Sequence, residues 1–232
     1  MPGFFDIEQP KEKKAPSPST PDLKQAGVIL DALELFLGED PSRTYLSCIN
    51  IKKAPQGRFV LEATDSFSVL RVFLDEGQFR AWLDAVKSRT ARPEALDEVA
   101  GVDGFPLDDR GLLWCPRKQF ELGCSDTCGW VTGERFPYPD LDRFIPRDLP
   151  HGPGDRESVR PFIAFAQLAR VEKLYRLLDI PELTYSNFHF GGPQSPTLEH
   201  NVVTPDDSRA GNNGWTIEYE LVVMPCTVKN WM

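Results

Sequence analysis

Nowhere does this chain gather the roughly 18 consecutive apolar residues that a membrane-spanning helix needs. Its start, MPGFFDIEQPKEKK, carries charge with no long apolar segment behind it, so no signal peptide is expected. A soluble, cytoplasmic protein is therefore the expectation. Histidines are few and scattered, at His151, His189 and His200. Cysteines number five, an odd count, and only Cys124 and Cys128 in CSDTC stand close together. Structural zinc takes about four ligands in all, and no second pair lies near, so reduced, buried thiols are the reading for Cys48, Cys115 and Cys226 as well. The chain holds no GxSxG, HExxH or GxxxxGK[ST] stretch. The acids Asp108 and Asp109 fall in a Gly- and Pro-containing loop and read as solvated charge. Neither an enzyme nor a bound cofactor or metal is expected.

Basic residues are also in the minority. The net charge of −9 argues against a protein that coats nucleic acid with its whole surface. It leaves room for a local basic track on one face. What is present in quantity is apolar side chain, 41% of 232 residues. That is enough for a substantial core.

Residues 1–21 are rich in Pro, Lys, Glu and Ser without periodicity and read as a disordered tail. PRDLPHGPGDRES, from Pro146 to Ser158, reads as a linker centred on 151–157. Around it the chain repeats one plan, a helix followed by strands. In the first unit Thr20 or Asp22 caps a helix through KQAGVILDALELFLG, closed by Gly38. TYLSCINIKKA then alternates as a strand, and FVLEAT follows the turn at Gly57. In the second, Phe79, Trp82, Leu83 and Val86 mark one helix face, ended by Pro93, with short strands at GLLWCP, QFELGCS and GWVTGE. In the third, strand VRPFIAF precedes a helix with Leu168, Val171, Tyr175 and Leu178 as its apolar stripe. Strands LTYSNFHF, TLEHNVV and WTIEYELVVMP complete it. Short turns between strands exclude a mainly parallel sheet. The expected class is α+β, with helices on one side of antiparallel sheets.

One stretch, LEATDSFSVLRV, reads as two strands about a polar corner at Thr64-Asp65-Ser66. It resembles the A-T-D-G-x-R-L corner of the bacterial sliding clamp, the β subunit of DNA polymerase III. Two further stretches are similar to that family and fall in the same order. GERFPYPDLDRFIP resembles its G-R-F-P-D-Y-x-x-V-x-P segment with two extra residues, and ELVVMPC its closing Y-V-V-M-P-M. The resemblance implies a clamp fold, with 22–150 similar to the family's middle domain and 158–232 to the second half of its last. The chain departs from the family at Ser66 (Gly in the family), at Phe67-Ser68-Val69 (His-Arg-Leu) and at Cys226 (Met).

By that resemblance the protein is a DNA sliding clamp or processivity factor, in a compact form of the kind a phage would carry. Its implied partners are duplex DNA without sequence preference, and a DNA polymerase and clamp loader bound through short Gln-x-x-Leu-Phe-like peptides. A homo-oligomeric ring is implied, and no membrane. The peptide groove would be lined by Thr64, Ser66, Phe67, Ser68 and Val69, by Pro139, Arg143 and Phe144, and by Val222, Met224, Pro225 and Cys226. Met is deformable and suits a site taking several ligands, and aromatic and Arg side chains supply anchors. Arg80 and Lys87 on the second helix, and Arg170, Lys173 and Arg176 on the third, lie off the apolar stripes and would meet phosphates. Against a uniform basic lining, the first helix offers Lys24 but also Asp31 and Glu34. Phe4 and Phe5, ahead of Asp6 and Glu8, give the tail the composition of a groove-binding peptide. Two alternatives stand beside the clamp. One is a clamp-like protein that captures peptides without encircling DNA, and the other an enzyme on an unrelated α+β fold using CSDTC.

Overall fold

The computed structural model describes residues 20–89, 112–115, 130–132, 138–143, 145, 164–178, 189–190, 197–203 and 215–224. Helix α1 spans Thr20–Glu34. Past its end Gly38 makes a close approach: a Cβ there would lie 3.0 Å from the Leu46 Cβ and 3.4 Å from the Asp65 Cα. The alternating stretch that reads as a strand from Thr44 begins its strand only at Ile49. Upstream, Pro41–Ser47 winds as a 3-10 segment. Asp40 causes this, accepting from the Ser42 N–H (2.9 Å) and hydroxyl (2.6 Å), while Pro41 pre-sets φ at the first position. A short alternation could not compete with a side-chain cap and a proline.

Strands β1 (Ile49–Lys53), β2 (Phe59–Thr64) and β3 (Ser68–Leu74) form a meander, and α2 (Glu76–Arg89) follows. Strands β4 (Leu112–Trp114) and β5 (Trp130–Thr132) precede helix α3 (Phe165–Leu177). The chain then gives β6 (His189–Phe190), β7 (Thr197–Val203) and β8 (Ile217–Val223). All pair antiparallel in one sheet, ordered β5-β4-β1-β2-β3-β8-β7-β6. The fold is α+β. Strand β8, from beyond the expected linker, pairs with β3 from Ser68↔Val223 to Phe73↔Glu218, so strands from both expected units share one sheet. The linker, the strand QFELGCS, Pro93 and residues 1–19 of the N-terminal tail lie outside the described residues, as does most of LTYSNFHF, whereas Thr20 and Pro21, expected in the tail, already belong to α1. Of VRPFIAF, only its last two residues are described, and Phe165 already belongs to α3.

Period-two alternation assigns one sheet face to the helices. Ile49, Ile51, Leu61, Ala63, Leu70, Val72, Leu74, Tyr219, Leu221 and Val223 belong to a single core with Ile29, Leu33, Phe36, Trp82, Val86 and Leu174. Phe59 stacks on Phe79 at 4.0 Å, and Trp82 meets Trp114 edge-on at 6.1 Å. Each such side chain contributes about 1.5–3 kcal/mol on burial, so this face holds the fold together. The stripe expected on the third helix shifts: Leu168 is 41% exposed, and Gln167, Val171, Leu174 and Leu178 form the buried line. Helical spacing admitted either line, and docking of α3 beside α1 and against the corner chose the one that includes Gln167.

Candidate functional site

The corner between β2 and β3 is built on one carboxylate. Asp65 accepts from the Phe67 N–H (2.9 Å), the Ser68 N–H (2.7 Å) and the Ser68 hydroxyl (2.9 Å). Thr64 bonds the Ser68 carbonyl through its hydroxyl at 2.8 Å. Ser66 takes a φ of 78°, in the left-handed region that favours glycine. A serine there stands in a backbone conformation that a glycine adopts without cost. Phe67 projects from the tip, 59% exposed.

Three neighbours clasp this corner. The Met224 N–H donates to the Phe67 carbonyl (2.7 Å), extending β8 past its last paired residue. From α3, Gln167 donates to the same carbonyl (3.3 Å), and Arg170, one turn on, forms an ion pair with Asp65. Arg43 donates to the Ser66 hydroxyl (2.9 Å) from the other side.

On the sheet face away from the helices, the segment 138–145 lies across β3 and β8. Leu141 and Ile145 pack on Val69 and Val222 with Tyr138 beside them, a small apolar cluster separate from the main core. Thus the three stretches that resemble the clamp family, far apart in sequence, meet at one place. Within it Thr64, Ser68, Val69 and Val222 are buried and form floor, whereas Phe67 and Arg143 are exposed and Pro139 and Met224 half-buried. Phe144, Pro225 and Cys226 lie outside the described residues.

Beside this cluster runs a row of polar residues in register: Asn50 opposite Glu62, Glu62 opposite Arg71, Arg71 opposite Glu220. Glu62 is fully buried and holds Arg71 at 2.6 Å, Lys52 at 3.1 Å and the Asn50 amide at 2.7 Å. Arg71 also donates to Asp142 at 2.9 Å and lies 3.5 Å from Glu220. Burial opposes the Arg71 charge, but Glu62 and Asp142 outweigh it and hold its pKa above the ordinary arginine value. Burial, reinforced by the Glu62 charge, likewise pushes the Tyr138 phenol well above its usual pKa. Removing Glu62 or Arg71 would strand a buried charge, which is costlier than never having buried the pair.

Sequence reading missed Glu62, Arg71, Gln167 and Tyr138. The signal existed for the first two. A hairpin closing at Thr64↔Val69 dictates Glu62↔Arg71 two pairs further in.

The basic candidates are distributed along the helix layer. Arg80 pairs with Glu76 (2.6 Å), Lys87 with Asp84 (3.8 Å), Arg176 with Glu172 (2.7 Å), and Arg170 with Asp65 as described. Lys173 is exposed and joins no ion pair among the described residues. Arg89, not anticipated, reaches from α2 to Asp31 (2.7 Å) and Glu34 (3.6 Å), offsetting the acids of α1. Among the described residues no cluster of His, Cys, Asp or Glu could hold a metal, and no helix is long and apolar enough to cross a membrane. Cys48 and Cys115 are buried free thiols. No protein-family model matches the chain, and no curated protein matches it.

Proposed function

We propose that this protein is a sliding-clamp-like processivity platform. It docks short apolar peptides beside the Thr64–Ser68 corner and presents its helix layer to duplex DNA. One observation carries the reading. The corner, the 138–145 segment and the end of β8 converge, with Val69, Leu141, Ile145 and Val222 as a shared apolar floor. Around that floor Phe67 offers an exposed aromatic and Met224 a deformable thioether, with Arg143 at the rim. A peptide ending in Leu-Phe would bury about 1.5–3 kcal/mol per enclosed side chain. Ordering the peptide takes back part of this, so micromolar affinity is expected.

The DNA half rests on the helices. Together they carry seven Lys and Arg against six Asp and Glu, near neutral in a chain of net charge −9. Phosphate contact from such a surface is weak and salt-sensitive, as a sliding role requires. A second reading, a clamp-like protein that captures peptides without encircling DNA, draws support from the ion pairs. Four of the five basic candidates are already engaged by acids of the same chain.

Fluorescence polarisation with a labelled Gln-x-x-Leu-Phe peptide tests the first half. Binding by the parent, weakened by Met224→Ala with folding intact, is the expected result. Absence of binding, or indifference to Met224→Ala, would refute the docking site. Multi-angle light scattering separates the two readings. A stable multimer supports a ring, and a monomer throughout the micromolar range supports the peptide-capturing protein.

A further inference from the structure

We infer that Arg71 is a positioning residue. It is a buried cation shared between the sheet and the 138–145 segment, and it fixes that segment as the wall of the docking site. The inference rests on the peptide-docking reading above. Arg71 lies on β3 two residues from Val69, so both point to the same sheet face. From there one guanidinium reaches inward to Glu62 (2.6 Å) and outward to Asp142 (2.9 Å). Asp142 is the residue after Leu141 and three before Ile145, the two side chains that close on Val69 and Val222. Tyr138, at the start of the segment, adds a bond from its hydroxyl to the Glu62 carbonyl (3.4 Å).

The geometry assigns different jobs to the two carboxylates. Glu62 is wholly enclosed, with Lys52 and Asn50 as further partners, so it anchors Arg71 in one rotamer. Asp142 is 57% exposed and reaches the guanidinium from outside the sheet. Asp140, the other acid described in this segment, is turned instead to Arg143 at 3.1 Å. A planar fork held rigidly on one side presents its remaining donors at a fixed place. The segment is thereby set in height above the sheet, and with it the packing of Leu141 and Ile145 on Val69 and Val222. Apolar packing alone is non-directional and would let the segment slide along the β3–β8 surface.

The test removes the outer contact without stranding a buried charge. In Asp142→Ala, Arg71 keeps Glu62 and Glu220, so the protein is expected to fold like the parent. Amide exchange at Leu141, Arg143 and Ile145 is expected to accelerate, with α1 and β2 unchanged. Peptide affinity is expected to fall about three- to fivefold, the range of a partly exposed ion pair. Asp142→Glu, which retains the charge, should recover most of it. Raising salt should weaken peptide binding in the parent and not in Asp142→Ala, a dependence that generic loosening would not produce. Unchanged exchange in Asp142→Ala overturns the inference. So does faster exchange with undiminished affinity in a parent that binds peptide. A parent that binds no peptide refutes the docking reading itself, and exchange alone then decides whether Arg71 holds the segment.

Discussion

Asp65 does more than turn a hairpin. Its carboxylate satisfies two backbone N–H groups and one hydroxyl and also meets Arg170 of α3. Asp65→Ala therefore leaves donors and a cation without their acceptor. It is expected to cost about 2–3 kcal/mol, read as a shifted urea midpoint at unchanged slope. Ser66 is strained in the opposite sense. At its φ of 78°, a glycine is at ease and a β-branched residue is not. Ser66→Val should therefore lose about 1–2 kcal/mol by thermal melting. Tyr138 adds a pH signature. Its folded-state pKa is raised well above the ordinary value of 10.0. Below about pH 10 folded and unfolded chains both hold the proton, and its contribution is constant. Above that the unfolded chain releases the proton first, so stability declines as pH climbs toward the folded pKa, by up to about 1.4 kcal/mol per unit. Urea melts between about pH 8 and 11 should be flatter at the alkaline end for Tyr138→Phe than for the parent.

At the scale of elements, α3 is the piece whose seating the sequence left open. Its buried line runs through Val171, Leu174 and Leu178, with Gln167 turned to the corner and Leu168 to solvent. This predicts a sharp contrast between two leucines of one helix. Leu174→Ala, in the core, should cost about 2–5 kcal/mol, and Leu168→Ala should stay within about 0.5 kcal/mol of the parent. Chemical denaturation of the two variants side by side measures it. Equal costs would mean that α3 is rotated from the orientation described. The same helix couples core to site, because Gln167 and Arg170 hold the corner from positions flanking the exposed Leu168.

For the whole molecule, the placement of Arg170 changes how DNA contact should be probed. Reversing Arg170 would break the corner along with any phosphate contact, since it is bound to Asp65. Lys173 and Arg176 lie on the solvent side of α3 and leave the corner alone. Lys173→Glu combined with Arg176→Glu should reduce retention on circular duplex DNA. It should also flatten the salt dependence of binding by about one unit of slope per lost phosphate contact. Peptide binding by polarisation should remain as in the parent. A preference for one duplex sequence would contradict the backbone-only model.

The sequence by itself determined the α+β class and the three described helices. It also determined the core face of α2 and the hairpin at Thr64–Ser68. These depend on local periods and turn chemistry that any window of the chain displays. Phe79, Trp82 and Val86 are apolar at helical spacing wherever the helix docks, and Asp65 can bond its own following amides before any tertiary contact forms. Tertiary structure alone decided the rest. Strand β3, paired with β2 on one side, takes β8 on the other, and its Arg71 stands opposite Glu220, 149 positions along the chain. No local pattern encodes a pairing at that distance. That Leu168 faces water and that Asp142 of a distant segment meets a buried arginine are outcomes of packing. Each was chosen among locally equivalent options by which side chains could be enclosed together with their partners.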